Sequence, residues 1–200
     1  MKRPDQIKKV PERADAPPGQ FVTSKFPVLT YGATPKIEKK DWRLRLFGLV
    51  EKEVELDWEQ FMALPQSIVT ADFHCVTQWS RLDNVWEGVL FRDVARLVKV
   101  KPQARYVMAH CYGGYTTNMP LQVILEENVM LAHRHDGQEL PREHGGPVRL
   151  VVPSRYGWKS AKWINGIEFM AEDRPGFWEQ RGYHMNGDPW KEERFWPELG

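Results

Sequence analysis

The sequence predicts a mixed α+β fold, with β-sheets joined by short and irregularly spaced helices. Three observations lead to this fold class. Apolar and polar residues alternate in several short stretches, glycine and proline punctuate the chain between them, and the helical patterns are brief and unevenly spaced. A doubly wound parallel sheet would show helices at regular intervals. The 200 residues are enough for one sizeable core.

The ends of the chain set the domain organisation. Residues 1–20 are rich in proline, charge and small side chains, so we expect an extended or mobile N-terminal arm followed by a single domain over 21–200. The arm has no apolar run of secretory length and no twin-arginine pair, and no stretch approaches the ~20 apolar residues that span a bilayer. These features predict a soluble, cytoplasmic protein without membrane insertion. A formal net charge of +1 argues against a nucleic-acid partner.

Strand and helix patterns alternate in the first half of the chain. "WRLRLFGLV" (42–50) and "SIVTADFHC" (67–75) alternate as half-buried strands do, and "LDWEQFMALP" (56–65) predicts a short helix capped by Asp57. "GVLFRDVARLVKV" (88–100) has the apolar spacing of an amphipathic helix packed on a sheet.

The second half continues in the same way. The predicted elements are a strand ending at a Gly-Gly turn in "ARYVMAHCYGGY" (104–115), a short helix in "PLQVILEEN" (120–128), a strand leading to an Asp-Gly hairpin in "VMLAHRHDGQEL" (129–140), a strand in "PVRLVVP" (147–153), and a turn ahead of a final strand in "INGIEFMAED" (164–173). Beyond residue 174 glycines and prolines interrupt any long element.

Nine tryptophans are an unusual number for this length, and five of them crowd the carboxyl-terminal half. They are Trp158, Trp163, Trp178, Trp190 and Trp196. Their crowding indicates either that the carboxyl-terminal half of the chain folds over a wide, flat ligand or that these residues form an aromatic core.

Cys75 ends the strand of "SIVTADFHC", and alternation places it on the apolar face with Phe73. From the residues alone it is an inert buried thiol, a nucleophile or a metal ligand. A nucleophile would need a lowered pKa, which nothing in the local sequence provides. Zinc is disfavoured because adjacent residues in the pairs His74-Cys75 and His110-Cys111 face opposite sides of their strands.

A basic loop follows the strand at 147–153. "RLVVPSRYGWKSAK" (149–162) holds four cationic side chains and no acid: Arg149, Arg155, Lys159 and Lys162. Cations, hydroxyls and loop N–H groups together favour an anion, although a solvated basic loop also fits. With Cys75, the loop indicates one ligand with a soft-metal end and a phosphate end.

Three stretches resemble the molybdopterin-binding domain of the sulfite oxidase family. They are "HCVTQWSRLDNVWEGV", "GGPVRLVVPSRYGWKSAKWINGIEF" and "GFWEQRGYHMNGDPW". The resemblance covers roughly residues 25–190 and is strongest to the short single-domain members and to the catalytic subunit of periplasmic methionine sulfoxide reductase. It implies the sulfite-oxidase-type fold and a cofactor of molybdenum with a single pyranopterin.

The resemblance also implies roles for individual residues. Cys75 would ligate the metal. Arg81 and Tyr112 are further catalytic candidates because they lie close in the sequence to the two strand ends and so can line a substrate funnel, although an ordinary surface arginine is an equal interpretation of Arg81. The implied cofactor-binding residues are Phe26, Val28, Leu29, Cys75, Cys111, His144, Arg149, Ser160, Ala161 and Lys162. Among these, His144 stands where reductase-type relatives have Asn, and Cys111 about where they have Thr.

The implied activity is a two-electron oxygen-atom transfer, either oxidation of sulfite or reduction of a small S-oxide or N-oxide, with an unidentified electron-transfer partner. Two alternatives stay open at this point. The chain is then either a catalytically silent cofactor-binding domain or a metal-free thiol enzyme that uses Cys75.

Overall fold

The computed structural model describes residues 16–196, which form two β-sheets with three short helices between their strands. The strands are β1 (Phe21–Val22), β2 (Arg43–Gly48), β3 (Val54–Asp57), β4 (Ser67–His74), β5 (Trp79–Leu90), β6 (Tyr106–Cys111), β7 (Thr116–Pro120), β8 (Met130–His135), β9 (Gln138–Glu139), β10 (Arg149–Val151) and β11 (Ile164–Met170). The helices are α1 (Trp58–Met62), α2 (Phe91–Arg96) and α3 (Leu121–Ile124). This confirms the predicted α+β class.

The two sheets differ in how their strands pair. One has the order β1-β5-β8-β10, with β4 paired to β5 and β9 to β8, and only β1 runs parallel to its neighbour. The other has the order β3-β2-β11-β6-β7, in which β2 and β11 are parallel. A large apolar cluster draws on strands of both sheets, and a smaller one lies around β4, β5 and β8. Phe73 of β4 and Val151 of β10 both belong to the smaller cluster, so these two strands border the same interior space.

Local sequence explains several of these elements. Asp57 accepts a hydrogen bond from the Gln60 N–H at 2.8 Å, and the Gln60 side chain accepts one from the Asp57 N–H at 3.0 Å, so α1 begins with a complete capping box. Asp136 and Gly137 both have positive φ, as the two-residue turn between β8 and β9 requires. The predicted helix cap and hairpin are confirmed.

The helix predicted in residues 88–100 is confirmed as α2, but its predicted start was wrong, and so was one predicted turn. The helix expected from Gly88 begins only at Phe91, because the preceding residues continue the 12-residue strand β5, which the alternation did not reveal. The Asn165-Gly166 turn signal lies inside β11, where the pairing with β6 shifts between Ile164 and Gly166. The dipeptide forms a β-bulge rather than a turn.

The arm predicted for residues 1–20 lies outside the described residues as far as Asp15. Its last part packs on the body of the fold: Ala16 and Gln20 are buried, and the Gln20 side chain donates a hydrogen bond to the Cys75 carbonyl at 3.2 Å. No helix within residues 16–196 is long and apolar enough to cross a membrane. The single domain over 21–200 and the cytoplasmic location stay predictions.

Candidate functional site

A cavity of about 530 Å³ opens between the ends of β4 and β10 and the carboxyl-terminal segment. Its wall contains Phe26, Pro27, Leu29, Thr30, Tyr31, Gly32, Ala33, Phe73, Cys75, Val76, Thr77, Trp79, Tyr112, Gly113, Tyr115, His144, Arg149, Gly157, Trp158, Ser160, Ala161, Lys162, Trp163, Phe177, Trp178 and Tyr183. The cysteine and the basic loop, some 75 residues apart in the sequence, thus border one space.

Cys75 follows β4 directly and is 7% exposed. Its N–H donates to the Trp79 carbonyl at 2.8 Å, and its carbonyl accepts from the Gln78 N–H at 3.1 Å, which closes a tight turn under the sulfur. The Thr77 hydroxyl lies 3.1 Å from the Cys75 Sγ. Burial raises the pKa of the thiol, against hydrogen bonds from Thr77 and the charge of Arg194, which lower it. The thiol is held in place beside the cavity.

Arg149 is the first residue of β10, and it is 2% exposed. Its guanidinium donates to the His144 carbonyl at 2.9 Å and to the Ser160 carbonyl at 2.8 Å. Three aromatic ring centroids, of Phe26, Phe73 and Trp86, lie 5.3–5.9 Å from its Cζ. Within residues 16–196 it forms no ion pair with a carboxylate.

Burial lowers the pKa of Arg149 to about 10, which leaves it charged at neutral pH. A buried charge without a counter-ion is costly unless a ligand supplies the opposite charge. The structure therefore prepares this part of the cavity for an anion.

Lys162 and His144 lie beside Arg149 on the same wall. The Lys162 ammonium donates to the carbonyls of Leu29 and Glu143 at 2.8 and 2.6 Å and to the Thr30 hydroxyl at 3.0 Å. Burial, reinforced by the charge of Arg149, lowers the pKa of Lys162 to about 8. Burial and both neighbouring cations also lower the pKa of His144. Phe26 stacks on the His144 ring with the centroids 4.6 Å apart.

The wall of the cavity contains no Asp or Glu among the described residues. Arg149 and Lys162 therefore create a positive potential that no acidic side chain of the described wall offsets. Ser160 and Ala161 complete this end, and the Ser160 hydroxyl accepts from the Val152 N–H at 2.9 Å, which fixes the loop against β10. The donor set fits a ligand with an anionic group such as a phosphate.

The opposite side of the cavity is aromatic. Tyr115 donates a hydrogen bond to the Trp158 carbonyl at 2.6 Å, and Tyr31 packs against Phe177 and Trp178. Sequence reasoning did not single out Tyr31, Tyr115 or Phe177. The only sequence signal for this aromatic side was the crowding of tryptophans. Trp158, Trp163 and Trp178 line the cavity, whereas Trp190 and Trp196 are half exposed and lie outside it.

Several predicted site residues meet at the cavity and others do not. Those that line it are Phe26, Leu29, Cys75, Tyr112, His144, Arg149, Ser160, Ala161 and Lys162. Val28 is 46% exposed and absent from the wall. Cys111 is buried in the large apolar cluster behind Arg149, and complete burial raises its pKa.

Arg81 lies away from the cavity. Its guanidinium pairs with Asp136 at 2.5 Å and also contacts Asn84 and His135. It braces the β8-β9 hairpin against β5 rather than facing a substrate. Tyr112 does reach the cavity, but its hydroxyl accepts from the Arg43 N–H at 2.9 Å.

Lys159, predicted as part of the basic cradle, is instead fully buried in an ion pair with Glu179 at 2.6 Å. Its ammonium also donates to the backbone and side-chain oxygens of Asn118 at 2.8 and 2.9 Å. The prediction that Lys159 helps to hold the anion was wrong, because its charge is neutralised by an acid 20 residues further along the chain.

No three His, Cys, Asp or Glu side chains between residues 16 and 196 lie close enough to hold a metal ion by themselves. Cys75 is thus a single buried protein thiol facing a cavity that is anion-binding at one end and aromatic at the other. A metal that arrives with its own sulfur ligands on an anionic organic cofactor fits this donor set.

Comparison with known proteins agrees with this chemistry. The family model described as "Oxidoreductase molybdopterin binding domain" matches residues 31–178. The Bacillus subtilis (strain 168) protein YuiH, described as an uncharacterized oxidoreductase, is 50% identical over 180 residues, which cover 90% of this chain and 91% of the relative. A putative protein-methionine-sulfoxide reductase subunit, YedZ1 of Azospira oryzae, is 32% identical over 85% of this chain and 66% of its own length.

More distant relatives extend the comparison. The sulfite oxidase of Arabidopsis thaliana is 28% identical over 88% of this chain and 56% of its own length. The sulfane dehydrogenase SoxCD from Paracoccus pantotrophus superposes with a TM-score of 0.64 at 25% identity, covering 70% of this chain and 40% of that one. The chain thus spans nearly all of YuiH but about two thirds or less of these other relatives.

Proposed function

Because the chain belongs to the family of oxidoreductase molybdopterin-binding domains, we propose that Cys75 is the protein ligand of a molybdenum centre. The protein is a molybdopterin-dependent oxidoreductase. When bound, the cofactor supplies two-electron oxygen-atom transfer. The observation that carries the proposal is that a buried cysteine and a buried arginine without a carboxylate partner border one cavity.

In this proposal Cys75 acts as a thiolate. Thiolate is a ligand that soft and redox-active metals prefer, and a metal enforces its deprotonation. The Thr77 hydroxyl, 3.1 Å from the sulfur, donates to it, and the turn closed by the Trp79 and Gln78 backbone bonds holds the sulfur in place. Such outer contacts orient a ligand and adjust its electron donation.

The other end of the cavity would hold the anionic part of the cofactor. Arg149 and Lys162 supply charge, and His144 supplies a ring stacked on Phe26. Leu29 covers this end through its carbonyl bond to Lys162. Ser160 and Ala161 shape the loop. We do not extend the proposal to Val28 or Cys111.

The test is the molybdenum content of protein purified from a host that makes the cofactor. We expect about one atom per chain in the wild type and little in Cys75→Ser. Cys111→Ser is the matched control, because it changes the second buried cysteine, which does not line the cavity. Molybdenum retained in Cys75→Ser, or absent from the wild type, would contradict the proposal.

The substrate, we propose further, is a small neutral oxo compound. Apart from Cys75, the groups on the aromatic side of the cavity are uncharged at neutral pH, and burial raises the pKa of both Tyr115 and Tyr183. The two cations of the wall, Arg149 and Lys162, serve the cofactor's anionic group in this proposal. No further cation lines the described wall to bind sulfite. Of the activities named among the relatives, sulfoxide reduction suits this surface better than sulfite oxidation.

Substrate assays separate the two directions. We expect reduced viologen to be oxidised by dimethyl sulfoxide or trimethylamine N-oxide, with a higher kcat/KM than for sulfite oxidation with ferricyanide. A preference for sulfite would contradict the neutral-substrate proposal while leaving the metal assignment intact. Turnover also needs an electron source, and we propose a separate partner protein, since the Azospira oryzae relative is described as a subunit.

A further inference from the structure

The carboxyl-terminal segment returns to the metal-ligand turn and places one arginine there. The Arg194 carbonyl accepts from the His184 N–H at 3.2 Å, and the Trp196 N–H donates to the Gly182 carbonyl at 2.9 Å. Phe195 forms an isolated bridge with Tyr183. Backbone contacts thus fix Arg194 on both sides.

The Arg194 guanidinium reaches under Cys75. Its Nη1 donates to the Val76 carbonyl at 2.6 Å, and its Cζ lies 5.0 Å from the ring centroid of the fully buried Tyr156. The Nη2 atom is also buried and has no hydrogen-bond partner among the described residues. The charge is therefore only partly solvated, and it adjoins the carbonyl of the residue that follows the cysteine.

Arg194 lies outside the cavity wall, so it does not compete with Arg149 and Lys162 for an anion in the cavity. Its contact is with the turn itself. The Val76 carbonyl belongs to the segment that the Cys75–Trp79 and Gln78–Cys75 backbone bonds close. Arg194 can act on the cysteine in two ways, by holding this turn and by its electrostatic field.

We propose that Arg194 is a positioning residue that raises the reduction potential of the centre held by Cys75; this rests on the proposed function. Reduction adds negative charge to the site, and a fixed positive charge behind the ligand stabilises the reduced state more than the oxidised one. Because one nitrogen of the guanidinium is buried and the side chain is only partly exposed, its field is screened less than that of a fully exposed arginine.

The experiment is a redox titration of the molybdenum-loaded protein followed by electron paramagnetic resonance. Arg194→Gln removes the charge and keeps a donor for the Val76 carbonyl, whereas Arg194→Lys keeps the charge. We expect a lower midpoint potential in Arg194→Gln and a potential near that of the wild type in Arg194→Lys. Arg45→Met, which removes an exposed arginine paired with Glu53, is the control for net charge and should not shift the potential.

An unshifted potential in Arg194→Gln would overturn the inference, and so would an equal shift in Arg45→Met. If Arg194→Gln does not load metal, Arg194→Lys is compared with the wild type instead. Metal loading and a midpoint potential that are both retained in Arg194→Lys support a role of the charge. Loss of metal loading in both variants overturns the inference. The molybdenum content of Cys75→Ser is read separately. Metal retained in that variant defeats the proposed function, whereas an unshifted potential with Cys75→Ser empty defeats only this inference.

Discussion

Two buried cations ten residues apart in the basic loop have opposite surroundings. Lys159 is fully buried, and its ammonium has four oxygen acceptors, including the Glu179 carboxylate at 2.6 Å. Arg149 is 2% exposed and has only carbonyl acceptors, with no carboxylate among the described residues. One charge is neutralised inside the protein and the other is left facing a cavity.

The difference teaches how to tell a structural cation from a ligand-binding one. Glu179 Oε1 also accepts from the Trp158 indole and the Thr117 hydroxyl, both at 2.9 Å, so the Lys159 pair ties the carboxyl-terminal segment to the second sheet. Gly176 makes this approach possible, since a Cβ there would lie 2.6 Å from the Thr116 carbonyl. Arg149 has no carboxylate partner between residues 16 and 196, and its charge is available to a ligand.

Breaking the Lys159 pair should give the largest effect on stability. Lys159→Met leaves the Glu179 carboxylate buried without its counter-charge, and removing one partner of a buried pair costs about 3–5 kcal/mol. Urea unfolding followed by tryptophan fluorescence measures the loss. The double variant Lys159→Met/Glu179→Gln removes both charges and keeps an oxygen acceptor for Trp158, so it should recover much of the stability. A loss under about 1 kcal/mol in Lys159→Met would contradict a structural role of this pair and would group Lys159 with Arg149 as a cation available to a ligand.

Replacing Arg149 should instead weaken cofactor binding. Arg149→Met removes charge-assisted hydrogen bonds worth about 1.5–3 kcal/mol to an anionic ligand, a fall in affinity of about 10–150-fold. The unfolding free energy should fall less than in Lys159→Met, because removing an unpaired charge also removes its desolvation cost. Pterin and molybdenum per chain after extended dialysis report the first effect, and Arg149→Lys should lie between the variant and the wild type. Full occupancy in Arg149→Met would show that the anionic group binds elsewhere.

The sequence was informative where a local pattern decides the structure. Alternation correctly placed Cys75 at a strand end on the apolar face, and the capping residue and the Asp-Gly dipeptide located α1 and the β8-β9 turn. The whole of strand β5 was missed, because its residues pack on both faces and show no clear period. The Asn165-Gly166 dipeptide also suits a bulge, which only pairing with a neighbouring strand reveals.

The roles of the other site residues depend on contacts with residues that are distant in the sequence, so the sequence alone could not predict them. Four cations in the loop looked equivalent, and only the fold shows that Lys159 meets Glu179 while Arg149 meets no acid in the described chain. Arg81 was predicted beside the substrate because it lies near Cys75 in the sequence, yet it pairs with Asp136. Arg194, which is 119 positions from Cys75, had no sequence signal that linked it to the turn.

The smallest effect expected is a pH dependence at the second cation of the cavity. The pKa of Lys162 is lowered to about 8, so raising the pH above 8 removes its charge in the ligand-free protein. Anion affinity should fall by no more than about tenfold per pH unit above this value, since one proton is involved. The unfolded chain keeps the proton up to its ordinary pKa of about 10.4, so this group's contribution to the free energy of unfolding should increase between about pH 8 and 10, measured as the difference between the wild type and Lys162→Met.

With rising pH, anion affinity should fall while the contribution of Lys162 to stability rises. These opposite trends distinguish Lys162 from Lys159, whose charge is paired with Glu179. Calorimetric titration of cofactor-free protein with sulfate, whose charge is constant over this range, measures the first trend, and urea unfolding measures the second. Lys162→Met should bind sulfate more weakly at pH 7.5, and its sulfate affinity should depend less on pH between 7.5 and 9 than that of the wild type. If wild-type affinity is constant from pH 7.5 to 9.5, Lys162 does not contact the anion, and Arg149 is then the cation that distinguishes this cavity from the neutralised Lys159 site.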